Sequence, residues 1–146
     1  MRKILFRGKR LDNGAWIEGY YLGPCKTLNT TEICPVDTGN SVEVDPETVG
    51  EYAGVEKNGK PVFEGDIVEV FDKYGSVYGI VKFGETPDND KRKNVGFYID
   101  WLSEGVNRWQ EWWRADIGFW LMRENTEIVG NIHDCKDLPA LLETTE

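Results

Sequence analysis

The sequence lacks most of the groups from which enzyme active sites are built. Its 146 residues include one histidine, His133, so any Ser-His-Asp or Cys-His arrangement would depend on that single base. It contains no Gly-x-Ser-x-Gly segment and no glycine-rich phosphate-binding motif, which excludes the usual nucleophile elbow and nucleotide cradles. Asp134 follows His133 directly and would point to the opposite side of a strand. The sequence therefore predicts a protein that is not an enzyme and holds no cofactor.

Cysteine is also scarce, and its spacing is not that of a typical metal site. The three cysteines are Cys25, Cys34 and Cys135, and an odd number without a regular framework favours reduced thiols. Together with His133 they form a Cys-x8-Cys arm and a His-x-Cys arm, neither of which matches the short knuckles that bind structural zinc. We expect Cys34 and Cys135 to pack as small apolar side chains and Cys25 to lie in a loop. Zinc bound by these four residues is the weaker alternative.

Long apolar runs are absent as well. No segment approaches the ~18 to 20 apolar residues that a membrane-spanning helix needs. The basic start Met1-Arg2-Lys3 precedes only Ile4-Leu5-Phe6, which is too short for the core of a signal peptide. We therefore expect a cytoplasmic protein that does not bind membranes.

Positive charge is in deficit, and the deficit is uneven along the chain. The 26 acidic and 17 basic side chains give a net charge of -9, which argues against broad binding of nucleic acid. Residues 43–72 carry nine acidic and two basic side chains, whereas residues 1–42 carry a net charge of +2. One interpretation places the acidic segment against a basic partner, either a second copy's Lys3, Arg7 and Lys9 or a nucleic-acid-binding protein whose ligand it imitates. The other is a solvated face that keeps the protein soluble.

The residues that are present predict a mainly β protein. The chain has 16 glycines, many aromatic and β-branched residues, and turn signals about every ten residues. Asn13-Gly14 predicts an N-terminal hairpin with a two-residue type I′ turn, in which Lys9 lies opposite Glu18. Residues 23–39 read as a loop with one weak edge strand.

The middle and C-terminal segments complete the predicted fold. Asp45-Pro46 can start a single helical turn that ends at Gly50. The Gly65-Asp66 step, followed by alternating apolar residues, predicts an SH3-like, partly open β-barrel from about Val62 to Ile132. Within it, a hairpin that turns near residues 72–75 should return through Val77, Gly79, Val81 and Phe83 on one face. We expect one domain over residues 1–146, with a hairpin and loop lobe over 1–60, a barrel lobe over 61–135 and a short helix over 137–143.

Several blocks of the sequence together are characteristic of one family. They are Phe6-Arg7-Gly8-Lys9-Arg10, Asn13-Gly14, Trp16, Asp45–Gly54, Asn58-Gly59-Lys60, Phe63–Val68 and Glu127–Ile132. Through them the chain resembles the YopX family of small proteins from bacteriophages and prophages. The resemblance implies a mostly β fold and a phage or prophage origin in a bacterial cytoplasm. The family carries no established activity, so the resemblance assigns no functional residue.

The chain departs from this family in two places. His133-Asp134 stands where the family tends to have an aromatic residue and a glutamate. The Trp-rich stretch 104–121 is also longer than the family's usual connection. Any role of that stretch would belong to this protein alone.

The aromatic cluster is the most unusual feature of the sequence. Five of the six tryptophans fall within residues 101–120, interleaved with arginines. The candidate interaction residues are Arg108, Trp109, Trp112, Trp113, Arg114 and Trp120. Three interpretations stay open: rings that fill the core of a small β domain, a protein-binding hot spot, or rings that stack on single-stranded bases.

These features together favour a binding function. The leading hypothesis is a non-enzymatic phage or prophage accessory protein that binds another protein or assembles with itself. Its partners would be a second copy, because a small sheet leaves open edges, and a host or phage protein. The alternative is a nucleic-acid-binding SH3-like module that uses the tryptophans and arginines.

Overall fold

The computed structural model describes residues 4–25, 30–73, 75–85, 95–102, 117, 121–122 and 124–134. The chain divides into two compact units, Met1–Gly54 and Val55–Glu146. The described backbone is mainly β, with antiparallel sheets, and its helical part is limited to short turns. The predicted mainly β fold is therefore confirmed. The predicted helix over 137–143 lies outside the described residues.

The first unit is built on an antiparallel sheet. Its strands are β1 (Phe6–Lys9), β2 (Trp16–Cys25), β3 (Thr30–Cys34), β4 (Val42–Glu43) and β5 (Gly50–Lys57). They are ordered β4-β3-β2-β1-β5, and each pairing among them is antiparallel. The boundary between the units falls after Gly54, within β5.

The predicted N-terminal hairpin forms from β1 and β2, but its register was wrong by two residues. Arg7 lies opposite Glu18, and Lys9 lies opposite Trp16. A shift of two residues leaves every side chain on its predicted face, because strand side chains alternate with a period of two. The rings of Phe6 and Tyr21 accordingly still meet, with centroids 5.1 Å apart.

The turn explains the shifted register. A type I′ turn needs positive φ at both central residues, and Asn13 does not adopt it. Instead the Asn13 side chain accepts a hydrogen bond from the amide of Ala15 at 2.9 Å. The loop therefore has four residues, closed by bonds of 2.9 Å from Gly14 N to Arg10 O and from Arg10 N to Ala15 O.

The segment after β2 is more regular than the sequence indicated. Thr30–Cys34 is a strand with a neighbour on each side, because the two-residue β4 pairs Val42 with Ile33. The prediction of one weak edge strand was wrong here: β2 extends to Cys25, and the edge strand is β4. The sequence does not predict β4, because the two residues Val42-Glu43 are too few to show an alternating pattern.

The helical turn after β4 forms as predicted and joins the sheet. A 3-10 turn spans Pro46–Thr48, and its N-cap Asp45 accepts a bond from Glu47 N at 3.1 Å. Thr48 Oγ1 donates to Asp45 O at 2.7 Å and accepts from Lys9 N at 2.9 Å. The turn ends at Val49, and the predicted last residue, Gly50, instead begins β5.

The inner face of the first sheet forms the core of this unit. Ile33 and Val44 are fully buried on it. Gly19 lies so close to β3 that a Cβ would collide with the carbonyl oxygen of Cys34. The missing side chain at Gly19 lets the strands approach at that point.

The second unit contains an open four-stranded antiparallel sheet. Besides the end of β5, its strands are β6 (Lys60–Phe63), β7 (Asp66–Asp72), β8 (Gly75–Glu85), β9 (Val95–Trp101) and β10 (Thr126–Asn131). The sheet order is β10-β7-β8-β9, and the described residues form no closed barrel. The predicted Gly-Asp step leads into β7, and at its start Asp66 Oδ2 accepts a bond from Phe63 N at 2.9 Å.

One face of this sheet supplies much of the core of the second unit, and Ile67 on the opposite face is also fully buried. The predicted alternation places Val77, Gly79 and Val81 on the same face, and the register confirms it. The buried side chains on this face are Val68, Val70, Val81, Ile99, Trp101 and Thr126. Trp101 is only 6% exposed, so this ring of the aromatic cluster belongs to the core.

Candidate interaction surface

The predicted interaction residues of the Trp-rich stretch are outside what the structure describes. Arg108, Trp109, Trp112, Trp113, Arg114 and Trp120 all fall within residues that are not described. Their role as an interaction surface therefore stays a prediction.

The four candidate metal ligands are only partly described. Cys34 is half-buried in the first unit, with its Sγ 3.8 Å from the carbonyl oxygen of Pro35. His133 lies in a turn after β10, where Asn131 Oδ1 accepts bonds from the amides of His133 and Asp134 at 3.0 and 2.9 Å. The Cys25 side chain and Cys135 are not described. Across the described residues, no group of three or more His, Cys, Asp or Glu side chains is arranged to hold a metal ion.

The first sheet carries an aromatic and cationic cluster that the sequence analysis missed. Trp16 in β2 lies opposite Lys9 and diagonally from Arg7 in β1. The Arg7 Cζ is 4.7 Å and the Lys9 Nζ 5.4 Å from the centre of the Trp16 ring. Contacts of this kind contribute about 0.5 to 1 kcal/mol each at exposed sites. The sequence shows Arg7 and Lys9 two residues apart on β1. Their contact with Trp16, however, depends on the strand register that the hairpin loop sets.

We call this side of the sheet the outer face. The side chains that share it across β1 to β4 are Arg7, Lys9, Trp16, Glu18, Tyr20, Leu22, Glu32, Cys34 and Glu43, as the strand registers require. Tyr20 is 53% exposed and Leu22 45% exposed. A strand that directs an aromatic and an aliphatic side chain outward at alternate positions presents an apolar stripe in the middle of the sheet.

Four of the five charges of the outer face flank this stripe, and the fifth, Glu18, lies on β2 opposite Arg7. The two cations, Arg7 and Lys9, lie on β1 beside Trp16. At the other end, Glu32 on β3 lies directly opposite Glu43 on β4. Like charges directly opposite each other destabilise a sheet. Glu32 also accepts a hydrogen bond from Ser41 Oγ at 2.9 Å.

Titratable pairs elsewhere have ordinary structural explanations. In the second unit, the Tyr78 hydroxyl donates to Glu69 Oε2 at 2.6 Å, and this bond together with burial raises the pKa of Tyr78. Lys82 Nζ lies 2.6 Å from Asp100 Oδ2, and the bond raises the pKa of Lys82. The Lys82 pair is partly exposed, so it contributes little to stability.

The family model described as YopX protein matches residues 5–143. The chain belongs to the YopX family. Neither the curated proteins nor the solved structures contain a match. Within the described residues, no helix combines the length and the apolar character needed to cross a bilayer.

Three of the YopX blocks contribute turns and caps in this structure. Asp45-Pro46-Glu47 forms the capped 3-10 turn, Asn58-Gly59 forms the turn between β5 and β6, and Gly65-Asp66 leads into β7, which begins at Asp66. These blocks therefore specify turns of the fold. The outer face is a separate feature, to which only Arg7, Lys9 and Trp16 of the signature blocks contribute.

Proposed function

We propose that this YopX protein is a non-enzymatic protein-binding module whose binding surface is the outer face of the first sheet. The observation that carries the proposal is the exposure of Tyr20 and Leu22 on one strand, in line with Trp16. Aromatic side chains supply large contact areas at a low cost in conformational entropy, and they dominate binding hot spots. A phage or prophage accessory role in the bacterial cytoplasm agrees with the family.

The mixed charge of the outer face supports a protein partner. Cations on β1 and carboxylates on β3 and β4 flank the apolar stripe. An apolar centre with a charged periphery is typical of protein interfaces, where the periphery sets orientation and specificity. Glu18, Glu32 and Glu43 would repel a phosphate backbone.

Binding of single-stranded nucleic acid is the second candidate. The observation in its favour is the Trp16 ring flanked by Arg7 and Lys9, since ring and cation together can hold a base and its phosphate. On the outer face this function predicts steep weakening with salt and loss of binding on Lys9→Ala; if the Trp-rich stretch is used instead, binding should be lost on Arg108→Ala or Arg114→Ala. Titration of a labelled single-stranded oligonucleotide checks it. Absence of binding at low salt would exclude this candidate.

The protein-binding proposal is tested with a double variant, Tyr20→Ser with Leu22→Ser. We expect the immobilised native protein to retain a specific partner from bacterial lysate. The double variant should retain at least about tenfold less, because removal of hot-spot side chains costs about 2 kcal/mol or more.

Val36→Ser is the matched control, because Val36 is also exposed but lies in the turn after β3. The control should retain as much partner as the native protein. Equal retention by the double variant and the native protein would contradict the assignment of the surface. Circular dichroism establishes that all three proteins are folded.

A further inference from the structure

We infer that the outer face binds the outer face of a second copy, related by a two-fold axis that passes near Tyr20. This inference rests on the proposed function and names a second copy as one partner of the outer face. The occupant follows from charge complementarity, because Arg7, Lys9, Glu32 and Glu43 occupy positions on the face that a two-fold axis exchanges. The fifth charged residue of the face, Glu18, lies opposite Arg7 within the same copy.

The strand registers give the positions of the charged residues. Arg7 lies one strand from Tyr20 and two residues along the strand toward Trp16, while Glu32 lies one strand away on the other side and two residues along toward Leu22. With strands about 4.8 Å apart and residues about 3.4 Å apart, both residues lie about 8 Å from Tyr20, in opposite directions. Tyr20 is therefore the midpoint between a cation and a carboxylate.

The same axis also brings the outer pair of charges together. Lys9 lies two residues beyond Arg7 on β1, and Glu43 lies one strand beyond Glu32. A rotation of 180° about an axis that passes over Tyr20, parallel to the sheet and perpendicular to the line from Arg7 to Glu32, exchanges those two positions. On the same ideal strand spacing, this rotation places Lys9 within about 3 Å of the Glu43 position. Each interface would thus contain two Lys9–Glu43 contacts, and each Glu32 would lie over the partly buried Arg7 guanidinium of the other copy, as an isologous dimer requires.

The energetics of the single copy point the same way. Glu32 and Glu43 face each other across β3 and β4, an arrangement that a single sheet disfavours. Among the described residues, neither carboxylate takes part in an ion pair. The second copy supplies Arg7 and Lys9 to this site and covers the exposed Tyr20 and Leu22.

The dimer should be weak and sensitive to salt. The patch spans about four strands and seven residues of β2, roughly 14 Å by 24 Å, which is small for a permanent interface. Its outer charged contacts, between Lys9 and Glu43, are also peripheral, so ions screen them. We expect a micromolar dissociation constant that rises at least about tenfold between about 0.05 M and 0.5 M salt.

The test is a charge-reversal experiment on the full chain by sedimentation velocity. Lys9→Glu alone sets two carboxylates against each other in the homodimer, and Glu43→Lys alone sets two ammonium groups against each other. Each single variant should therefore sediment as a monomer at concentrations where the native protein is dimeric. An equimolar mixture of the two variants should form a heterodimer, because both contacts then pair opposite charges.

The mixture also controls for folding, since recovery of association requires that both variants are folded. A native protein that stays monomeric up to millimolar concentration at low salt would overturn the inference. So would a mixture that stays monomeric while the native protein associates. Either result leaves the lysate experiment on Tyr20→Ser with Leu22→Ser to decide the proposed function separately.

Discussion

At the scale of single residues, Gly19 shows how one absent side chain sets the packing of the first unit. It is buried in β2, and a Cβ there would meet the carbonyl of Cys34 and lie 2.8 Å from the Cα of Pro35. Both neighbours are backbone atoms, which cannot turn aside as a flexible side chain does. Any larger residue must therefore push β2 away from the chain that follows β3.

We expect Gly19→Ala to lower the free energy of unfolding by about 3 kcal/mol, since overpacking of a tight site forces the backbone to shift. Urea denaturation followed by tryptophan fluorescence measures the change. Gly23→Ala is the matched control in the same strand, where the new Cβ would lie 3.5 Å from a ring carbon of Tyr21, an ordinary contact. Similar losses in both variants would show that the Cys34 carbonyl is not the cause.

At the scale of elements, the two Asn-Gly pairs show what decides a turn. Asn58 and Gly59 have φ of 54° and 79°, so the hairpin of β5 and β6 has the type I′ turn that the sequence predicted at Asn13-Gly14. In the N-terminal hairpin, the bidentate contact of Arg10 with Asp12, at 2.7 and 2.9 Å, and the Asn13 side-chain bond instead organise a four-residue loop. That contact also lowers the pKa of Asp12.

We expect Gly59→Ala to lower the free energy of unfolding by about 1 to 2 kcal/mol, because an L side chain strains the left-handed conformation. Thermal denaturation by circular dichroism measures the change. Gly96→Ala in β9 is the control, because its new Cβ meets nothing within 4 Å and its φ is not left-handed. An unchanged midpoint for Gly59→Ala would contradict the type I′ assignment.

At the scale of the whole molecule, charge acts in two opposite ways. The net charge of -9 opposes compaction, because like charges within the folded chain repel each other. The divided charge of the outer face instead attracts a second copy in our proposal. Salt screens both effects, so it should stabilise the folded chain and weaken the dimer.

We expect the melting temperature of the dilute native protein to rise by about 2 to 4 °C between about 0.05 M and 0.5 M sodium chloride. Differential scanning fluorimetry at submicromolar concentration checks this, since association then contributes nothing. A melting temperature that falls over this range would show that favourable ion pairs outweigh repulsion in the single copy.

The candidate surface was the least predictable part of the molecule. The sequence favours the tryptophans that follow Trp101 as the candidate surface, because these residues lie close together along the chain. The outer face combines residues from four strands, among them Arg7, Trp16, Tyr20 and Glu32. No local window contains them, so their proximity depends on strand pairing.

The sequence by itself determined the mainly β class, the N-terminal hairpin, the capped turn at Pro46 and the alternation from Val77 to Val81. Each depends on short-range geometry: the period of two in a strand, or a side chain bonded to a nearby amide. Only the tertiary structure decided the hairpin register, the neighbours of β3 and the charge layout of the outer face. These depend on which strands pair and in what register, and long-range pairing is settled by the packing of the whole sheet.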